Sequence, residues 1–292
     1  MIYHILNNPL SGNGQGTTAI ESLKATLKDG EVSVYDIREI KDIKAFVSSV
    51  ADEDVLILAG GDGTLNRFVN DTDGAVYPKS LYYYPTGSGN DFLRDVKVNE
   101  KGLVELAPYI CDLPTVTVKN QTMRFLNGIG YGIDGYCCQV GDEMRRTTDK
   151  PINYTAIAIK GLLFYYKRTN ATVIVDGKRY EFKKVWLAPS MNGRYYGGGM
   201  MVAPEQDRLA GNGELTVVVL HDSGKLKTLT VFPSIFKGEH IKHTDIFTVL
   251  KGREITVRFD HPTALQIDGE TFLDVTEYTA RAGVPAKEPA TV

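Results

Sequence analysis

Short apolar runs alternate with amphipathic stretches over the first hundred residues. Residues 2–6, 32–37, 54–59 and 80–84 are predicted strands, and the run 54–59 is nearly all apolar, as in a strand covered on both faces of a parallel sheet. Apolar residues at helical spacing follow these runs, which predicts helices at 17–27, at 40–49 and after residues 64 and 91. The pattern is typical of a doubly wound α/β domain with its ligand at the carboxyl ends of the strands.

The pattern changes at about residue 113 to short β-rich runs separated by turn residues. One helix, 154–166, interrupts them. We therefore predict an α/β domain at 1–112, a largely antiparallel β domain at 113–285 and a frayed tail at 286–292. The predicted strands of the second domain are 115–118, 171–175, 184–188, 214–220, 254–259 and 263–267.

Composition and charge narrow the function classes. The 292 residues are 42% hydrophobic and 24% charged, which is ordinary globular composition, and the net charge of −3 gives no basic footprint for nucleic acid. The three cysteines, Cys111, Cys137 and Cys138, have neither zinc spacing nor a disulfide framework, which favours a reduced, cytoplasmic compartment. No stretch has the length of a membrane span, so we expect contact with a membrane only from outside.

The polar turn after the third predicted strand carries the clearest chemical signal. Gly60, Gly61, Asp62, Gly63 and Thr64 lie between a parallel strand and a predicted helix. Glycines let the backbone approach a phosphate, and the helix start offers unpaired N–H groups. A carboxylate beside a phosphate requires a cation between them, so the aspartate indicates Mg²⁺. An ordinary glycine-containing turn is the alternative interpretation.

Two more polar glycine turns follow predicted strands, at residues 8–14 and 85–91. Because parallel strands end at the same edge of a sheet, we expect the three turns to surround a nucleotide triphosphate. The chain has no Walker A sequence and no GxGxxG with an acidic residue at the Rossmann spacing, which weakens the P-loop and dinucleotide interpretations.

The β-rich half contains an acidic turn, Asp268, Gly269 and Glu270. Asp-Gly is the commonest hairpin signal, so a plain turn is one interpretation. In a phosphoryl transferase such a turn supplies the carboxylate that orients and deprotonates the attacking hydroxyl. Three glycines at 197–199 either line the acceptor site or form a flexible connection.

Together these segments resemble the catalytic family of diacylglycerol kinases, which includes sphingosine and ceramide kinases and bacterial lipid kinases. The resemblance covers nearly the whole chain, in the family's order. The matching segments are 8–12, 60–66, 85–92, 127–130, 197–199, 238–240 and 268–270.

The resemblance implies a phosphofructokinase and NAD kinase type of α/β domain that binds ATP, and a C-terminal antiparallel β-sandwich that the lipid approaches. Asp268 and Glu270 would flank the acceptor hydroxyl, and either of the two could take its proton. Asp62 and Asp91 would belong to the magnesium network, and Leu209, Asn212 and Glu214 would bind a structural magnesium. The residues expected to contact ATP are Asn8, Pro9, Leu10, Ser11, Gly12, Gly60, Gly61, Asp62, Gly63, Thr64, Leu65, Asn66, Gly87, Ser88 and Asn90.

Two positions depart from the family pattern. Arg67 stands where similar members carry glutamate, and Asn212 replaces an aspartate in a longer loop after Pro204, which should weaken the structural metal site. These departures keep open a regulatory protein that binds nucleotide or lipid without turnover. A kinase of a soluble substrate, similar to NAD kinase, is the second alternative.

The leading interpretation is an ATP- and Mg²⁺-dependent kinase of a lipid hydroxyl such as that of diacylglycerol. Its expected partners are ATP and a lipid at a membrane surface, without nucleic acid, and its expected location is cytoplasmic with peripheral membrane association. The oligomeric state stays open, with a homodimer among the alternatives. The segment 164–168, aromatic and then basic, fits either a headgroup interface or a packed helix end.

Overall fold

The structure, a computed structural model, describes residues 1–14, 16–87, 89–148, 152–210 and 213–283. The chain divides into two compact units, Met1–Cys111 and Asp112–Val292. The predicted frayed tail lies outside the described residues.

The first unit is built on a mostly parallel sheet. Within the described residues its strand order is β2-β1-β3-β4-β5, parallel except for the β4–β5 pair. Strand β3 is buried along its whole length, as its apolar sequence predicts. The strands are β1 (Ile2–Asn7), β2 (Glu31–Asp36), β3 (Val55–Gly60), β4 (Ser80–Pro85) and β5 (Val104–Glu105).

Helices connect these strands, and one prediction about them was wrong. The segment after residue 91 forms only a 3₁₀ turn, Leu93–Asp95, because buried Phe92 packs on Tyr83 and Tyr109 and no apolar period continues beyond it. A second 3₁₀ turn is Ile37–Glu39. The α-helices are α1 (Ser11–Gly14), α2 (Gly16–Lys24), α3 (Ile43–Ser49), α4 (Asp62–Asp71) and α5 (Ala107–Ile110).

The second unit is dominated by antiparallel strands. In the described part of the chain, ten strands form one sheet with the path β15-β14-β11-β8-β16-β17-β6-β7, and β9 and β10 branch from β16. Two further strands, β12 and β13, pair with each other outside this sheet. The strands are β6 (Thr115–Val118), β7 (Gln121–Arg124), β8 (Gly128–Tyr131), β9 (Thr169–Val175), β10 (Lys178–Val185), β11 (Ser190–Met191), β12 (Tyr195–Tyr196), β13 (Met200–Met201), β14 (Leu215–Leu220), β15 (Phe247–Gly252), β16 (Glu254–Ile267) and β17 (Glu270–Arg281).

The helices of this unit contribute to one hydrophobic cluster. Helix α6 (Ile133–Arg145) was not predicted, and helix α7 (Tyr154–Lys160) continues into a π-helical turn, Gly161–Tyr165. Helix α8 is Lys225–Val231, followed by 3₁₀ turns at Phe232–Lys237 and Glu239–Lys242.

The strand predicted at 184–188 is confirmed only in part, since just Lys184 and Val185 belong to a continuous strand. Strand β10 ends at Val185 after an irregularity at Lys184, whose φ is +53°. Beyond it, Leu187 forms isolated antiparallel bridges to Gly132 and Leu220 without a continuous strand. The two runs predicted at 254–259 and 263–267 are one strand, β16, with bulges between them. The predicted fold class, an α/β domain followed by an antiparallel β domain, is confirmed. None of the described helices is long and apolar enough to cross a bilayer.

Candidate functional site

The three polar turns of the first unit meet at one edge of its sheet. The N–H of Asn8, after β1, donates to the carbonyl of Ala59 at 3.0 Å, and the N–H of Thr86, after β4, donates to the carbonyl of Gly60 at 2.8 Å. The central strand β3 therefore carries the other two turns, as expected for parallel neighbours.

Side-chain hydrogen bonds fix the turns to one another. Asn8 Nδ2 donates to Thr64 Oγ1 at 2.8 Å, which ties the first turn to the second. The hydroxyls of Ser11 and Thr86 lie 2.6 Å apart, which ties the first turn to the third. A rigid polar rim follows from these bonds.

The second and third turns touch through two glycines. A Cβ added to Gly87 would lie 2.6 Å from the Cα of Gly61, closer than any real side chain tolerates. Position 87 therefore requires glycine, because the two backbones pack against each other there. At position 61 an added Cβ would lie 3.2 Å from the Cα of Gly87, a tight contact.

Asp62 bridges the second and third turns as well. Its Oδ2 accepts the N–H of Asp91 at 2.9 Å, and its Oδ1 faces the N–H of Phe92 at 3.4 Å. The Oδ1 of nearby Asn90 is buried without a hydrogen-bond partner among the described residues, and Asn90 has φ of +50°. Carboxylate and amide oxygens grouped in this way are the ligands that Mg²⁺ prefers, so the donor set fits that ion.

Helix α4 begins directly at the second turn. Its N-cap, Gly61, makes no side-chain cap, so the first N–H groups of the helix lack a capping side chain. The helix start attracts anions through these groups and through the helix dipole.

The remaining residues that were expected to contact ATP range from exposed to fully buried. Leu10 is exposed on the first turn, whereas the side chains of Leu65 and Asn66 are buried on the inner face of α4. The N–H of Leu65 already donates to the carbonyl of Gly61 at 3.0 Å. Pro9 and Gly12 lie on the first turn and its short helix, and Gly63 is exposed with open space around it. Ser88 lies outside the described residues.

The acidic turn of the second unit connects β16 to β17. Asp268 has φ of +46° and Gly269 has φ of +95°, as in a type I′ hairpin. The Asp268 carboxylate accepts three backbone N–H groups, from Leu126 at 2.5 Å, Asn127 at 2.8 Å and Gly128 at 3.0 Å. This side chain therefore anchors the segment that leads into β8.

The same segment is held from other sides. The Leu126 carbonyl accepts Arg208 at 3.0 Å and Asn192 Nδ2 at 2.8 Å, and Asn127 Oδ1 accepts Arg208 at 3.0 Å. Two charged side chains thus bind the same short stretch of backbone. The Arg208 guanidinium donates to its carbonyl, and the Asp268 carboxylate accepts from its N–H groups.

Glu270 differs from Asp268 in its surroundings. It is exposed at the first position of β17, paired in register with Ile267. Buried Gln266 supports the turn, since its Oε1 accepts the N–H of Gly269 at 2.7 Å. The exposed carboxylate is accessible to a substrate, whereas that of Asp268 is engaged in structure.

A buried carboxyl lies beside this turn. Asp134, in the first turn of α6, is next to Gln266, because a Cβ added to Gly130 would touch both side chains. Burial raises the pKa of Asp134 to about 7, and a hydrogen bond from the Tyr196 hydroxyl opposes this shift. Tyr196 belongs to the β12–β13 hairpin whose turn is the glycine run 197–199, so these glycines position a side chain on the Asp134 carboxyl.

The predicted structural metal loop is only partly described. Leu209 is exposed, with its N–H donating to Asp207 Oδ1 at 2.9 Å, and the Glu214 carbonyl accepts Gln206 Nε2 at 2.9 Å. Asn212 lies outside the described residues. Among the described residues, no three histidine, cysteine or acidic side chains form a metal-binding group.

The sequence interpretation missed Arg208, Gln266 and Asp134. Gln266 lies two positions before Asp268 of the acidic turn, and Asp134 follows a glycine-containing strand at a helix start, as Asp62 does, so both had a local signal. The partners of Arg208 lie about eighty positions earlier in the chain, so no local pattern marks it.

Two known families match the chain. Residues 3–119 match the diacylglycerol kinase catalytic domain, and residues 127–283 match the YegS C-terminal NAD kinase beta sandwich-like domain. The diacylglycerol kinase of Mycobacterium tuberculosis strain H37Rv is 27% identical over 269 residues, covering 88% of this chain and 84% of that protein.

A solved structure has the same fold. The crystal structure of a diacylglycerol kinase from Bacillus anthracis strain Sterne superposes with a TM-score of 0.60 at 20% identity, over 97% of this chain and 94% of that one. At this identity the likeness concerns the fold.

Proposed function

This chain belongs to the family of kinases that combine a diacylglycerol kinase catalytic domain with a YegS-type C-terminal domain, and we propose that it transfers the γ-phosphoryl group of ATP, with Mg²⁺, to a lipid hydroxyl. The family resemblance seen in the sequence is confirmed, and with it the enzyme class, a phosphotransferase. The acceptor that we propose is diacylglycerol, on which the named mycobacterial relative acts.

The observation that carries the proposal is the convergence of three polar turns on the start of α4. Asn8 contacts Thr64, Ser11 contacts Thr86, and Asp62 holds the backbone of Asp91. Uncapped helix N–H groups and a close-packed glycine pair favour a polyphosphate at this edge.

The ion that we propose is held by oxygens of Asp62, Asn90 and Asp91. When bound, Mg²⁺ neutralises charge that develops on the transferring phosphate. The residues of the chain orient the polyphosphate through their backbone N–H groups and hydroxyls, which supports catalysis mainly by positioning.

We propose Glu270 as the group that accepts the proton of the lipid hydroxyl. An exposed carboxylate at a strand start can approach a substrate, whereas the Asp268 carboxylate already accepts three N–H groups. The hydroxyl oxygen then attacks the γ-phosphorus, its proton passes to Glu270, and ADP leaves. Asp268 acts as a positioning residue for the turn.

The experiment incubates the protein with γ-labelled ATP and Mg²⁺, and with either diacylglycerol vesicles, ceramide vesicles or NAD. Label is expected in phosphatidic acid, and Asp62→Asn should lower the rate at least about a hundredfold. Asp71→Asn, an exposed aspartate at the other end of α4, is the matched control and should keep the rate.

Label on NAD alone would instead identify a kinase of a soluble substrate. ATP binding without label on any acceptor would identify a regulatory protein and would overturn the proposal. We expect the active enzyme at the cytoplasmic face of a membrane, where its three free thiols stay reduced.

A further inference from the structure

We propose that the second unit docks on anionic phospholipid bilayers through the surface formed by residues 159–167 and 225–226, here called the aromatic-basic patch. The inference rests on the proposed function in one respect, since a lipid acceptor requires contact with a membrane. The argument for this particular surface comes from its own exposure, shape and charge.

The patch exposes large apolar side chains that take no part in the hydrophobic core. Phe164 is 72% exposed, Tyr165 67% and Leu226 82%. Neighbouring Leu162 and Tyr166 are buried in a cluster with Trp186, so the inner side of this segment is already packed. Tyrosine, which has one apolar and one polar end, is typical of the membrane interface, and Phe164 and Leu226 add purely apolar surface beside it.

The π-helical turn explains why these aromatics face outward. In a continuous α-helix, residue 165 would lie on the same face as buried Ala158 and Gly161. The π-helical turn contains one more residue than an α-helical turn, so the N–H of Tyr166 donates to the carbonyl of Gly161 at 2.9 Å. Tyr166 therefore takes the buried position that residue 165 would have in an α-helix. Both Phe164 and Tyr165 are then left outside.

The two segments of the patch are joined. Lys225 Nζ donates to the carbonyl of Leu163 at 2.6 Å, and Arg168 donates to the carbonyl of Ser223 at 2.8 Å. Leu226 therefore lies beside the aromatic turn. The exposed apolar side chains form a single surface instead of scattered positions.

The charge of the patch is complementary to anionic headgroups. Residues 152–168 contain two lysines and one arginine and no carboxylate, and residues 224–237 contain three lysines and no carboxylate, in a chain of net charge −3. Within the described residues, Lys160 and Lys167 make no ion pair, whereas Lys227 pairs with Asp245. Lysines near a bilayer are attracted by its negative surface potential.

A cavity of about 300 Å³ opens at one side of the patch. Tyr165, Lys167 and His261 line it together with Gln139 and Thr263, and the Asp274 carboxylate is also in the lining. Donors from Lys167 and His261 suit the phosphate of a headgroup.

The test measures sedimentation of the full chain with two kinds of vesicle, phosphatidylcholine alone and phosphatidylcholine mixed with phosphatidylglycerol. Wild type should bind the mixed vesicles more strongly, and binding should weaken with salt. Phe164→Ser with Tyr165→Ser should reduce binding about tenfold or more. Lys160→Gln and Lys167→Gln should each reduce it about fivefold.

Matched controls are equally exposed residues of the first unit, Val76→Ser and Lys101→Gln, which should bind as wild type does. Unchanged binding of the patch variants would overturn the inference. So would patch variants that turn a dimer into a monomer while binding vesicles normally, since the surface would then contact a second copy of the chain.

Turnover of a short-chain, monomeric diacylglycerol separates this inference from the proposed function. Patch variants should phosphorylate it at the wild-type rate and lose activity only on vesicles. If the wild type phosphorylates no lipid but binds anionic vesicles through the patch, the proposed function fails and the docking surface stands. If the patch variants keep full activity on vesicles, the proposed docking surface is refuted and the proposed function stands.

Discussion

Substitutions at the two carboxylates of the acidic turn should have different effects. Loss of the Asp268 carboxylate should lower the stability of the fold, and loss of the Glu270 carboxylate should lower turnover. Asp268→Asn keeps the left-handed backbone, which asparagine tolerates, and keeps one oxygen for Asn127 and Gly128. The amide group that replaces Oδ2 cannot accept the N–H of buried Leu126. A charge-assisted bond is worth about 1.5 to 3 kcal/mol, and the remaining two weaken, so we expect a loss of about 3 kcal/mol.

This loss corresponds to a melting temperature lower by about 6 to 12 °C for a domain of this size. Glu270→Gln, at an exposed position, should change stability by less than about 0.5 kcal/mol and lower kcat by about two to four orders of magnitude. Circular dichroism during heating and turnover of labelled ATP measure the two effects.

Asp274→Asn is the matched control, because Asp274 lies on the same hairpin, is exposed and has φ of +52°. It should melt with the wild type. If Asp268→Asn also melts with the wild type and loses turnover, the Asp268 carboxylate acts on the acceptor and the division of roles is wrong.

Two further predictions concern the two units separately. Gly87→Ala should weaken ATP affinity about tenfold in calorimetric titration, because the added Cβ would press on Gly61. Gly224→Ala is the control and should have no effect, because the space around Gly224 is open. Equal affinities of the two variants would contradict the close packing of Gly87 on Gly61. Because burial raises the pKa of Asp134 from 3.8 to about 7, the folded state holds its proton more tightly, so wild-type stability relative to Asp134→Asn should fall as pH rises from about 4 to about 7 and then level off. Urea unfolding across this range measures it, and a constant difference would refute the buried, protonated carboxyl.

The first unit was largely predictable because its parallel strands are buried and apolar. The run at Val55–Gly60 and the glycine turn after it identify both the sheet centre and the edge where we propose that the nucleotide binds. The proximity of Asp62 and Asp91 follows from that topology alone.

The second unit was less predictable because its elements are half-exposed or chemically mixed. Strand β17 carries polar residues on both faces, and α6 contains glycine and two adjacent cysteines, so neither has a clear period. The roles of Asp268 and Arg208 depend on Leu126 and Asn127, which are 81 to 142 positions away, and no local pattern encodes such contacts.

The anchoring of Leu126 by Asp268 has a consequence for biosynthesis. These residues are 142 positions apart, so while the chain is being made on the ribosome the segment before β8 waits, without this partner, for almost half of the protein to emerge. The contact between the acidic turn and this segment should therefore be among the last to form, and nascent chains that stop before residue 268 should depend on chaperones.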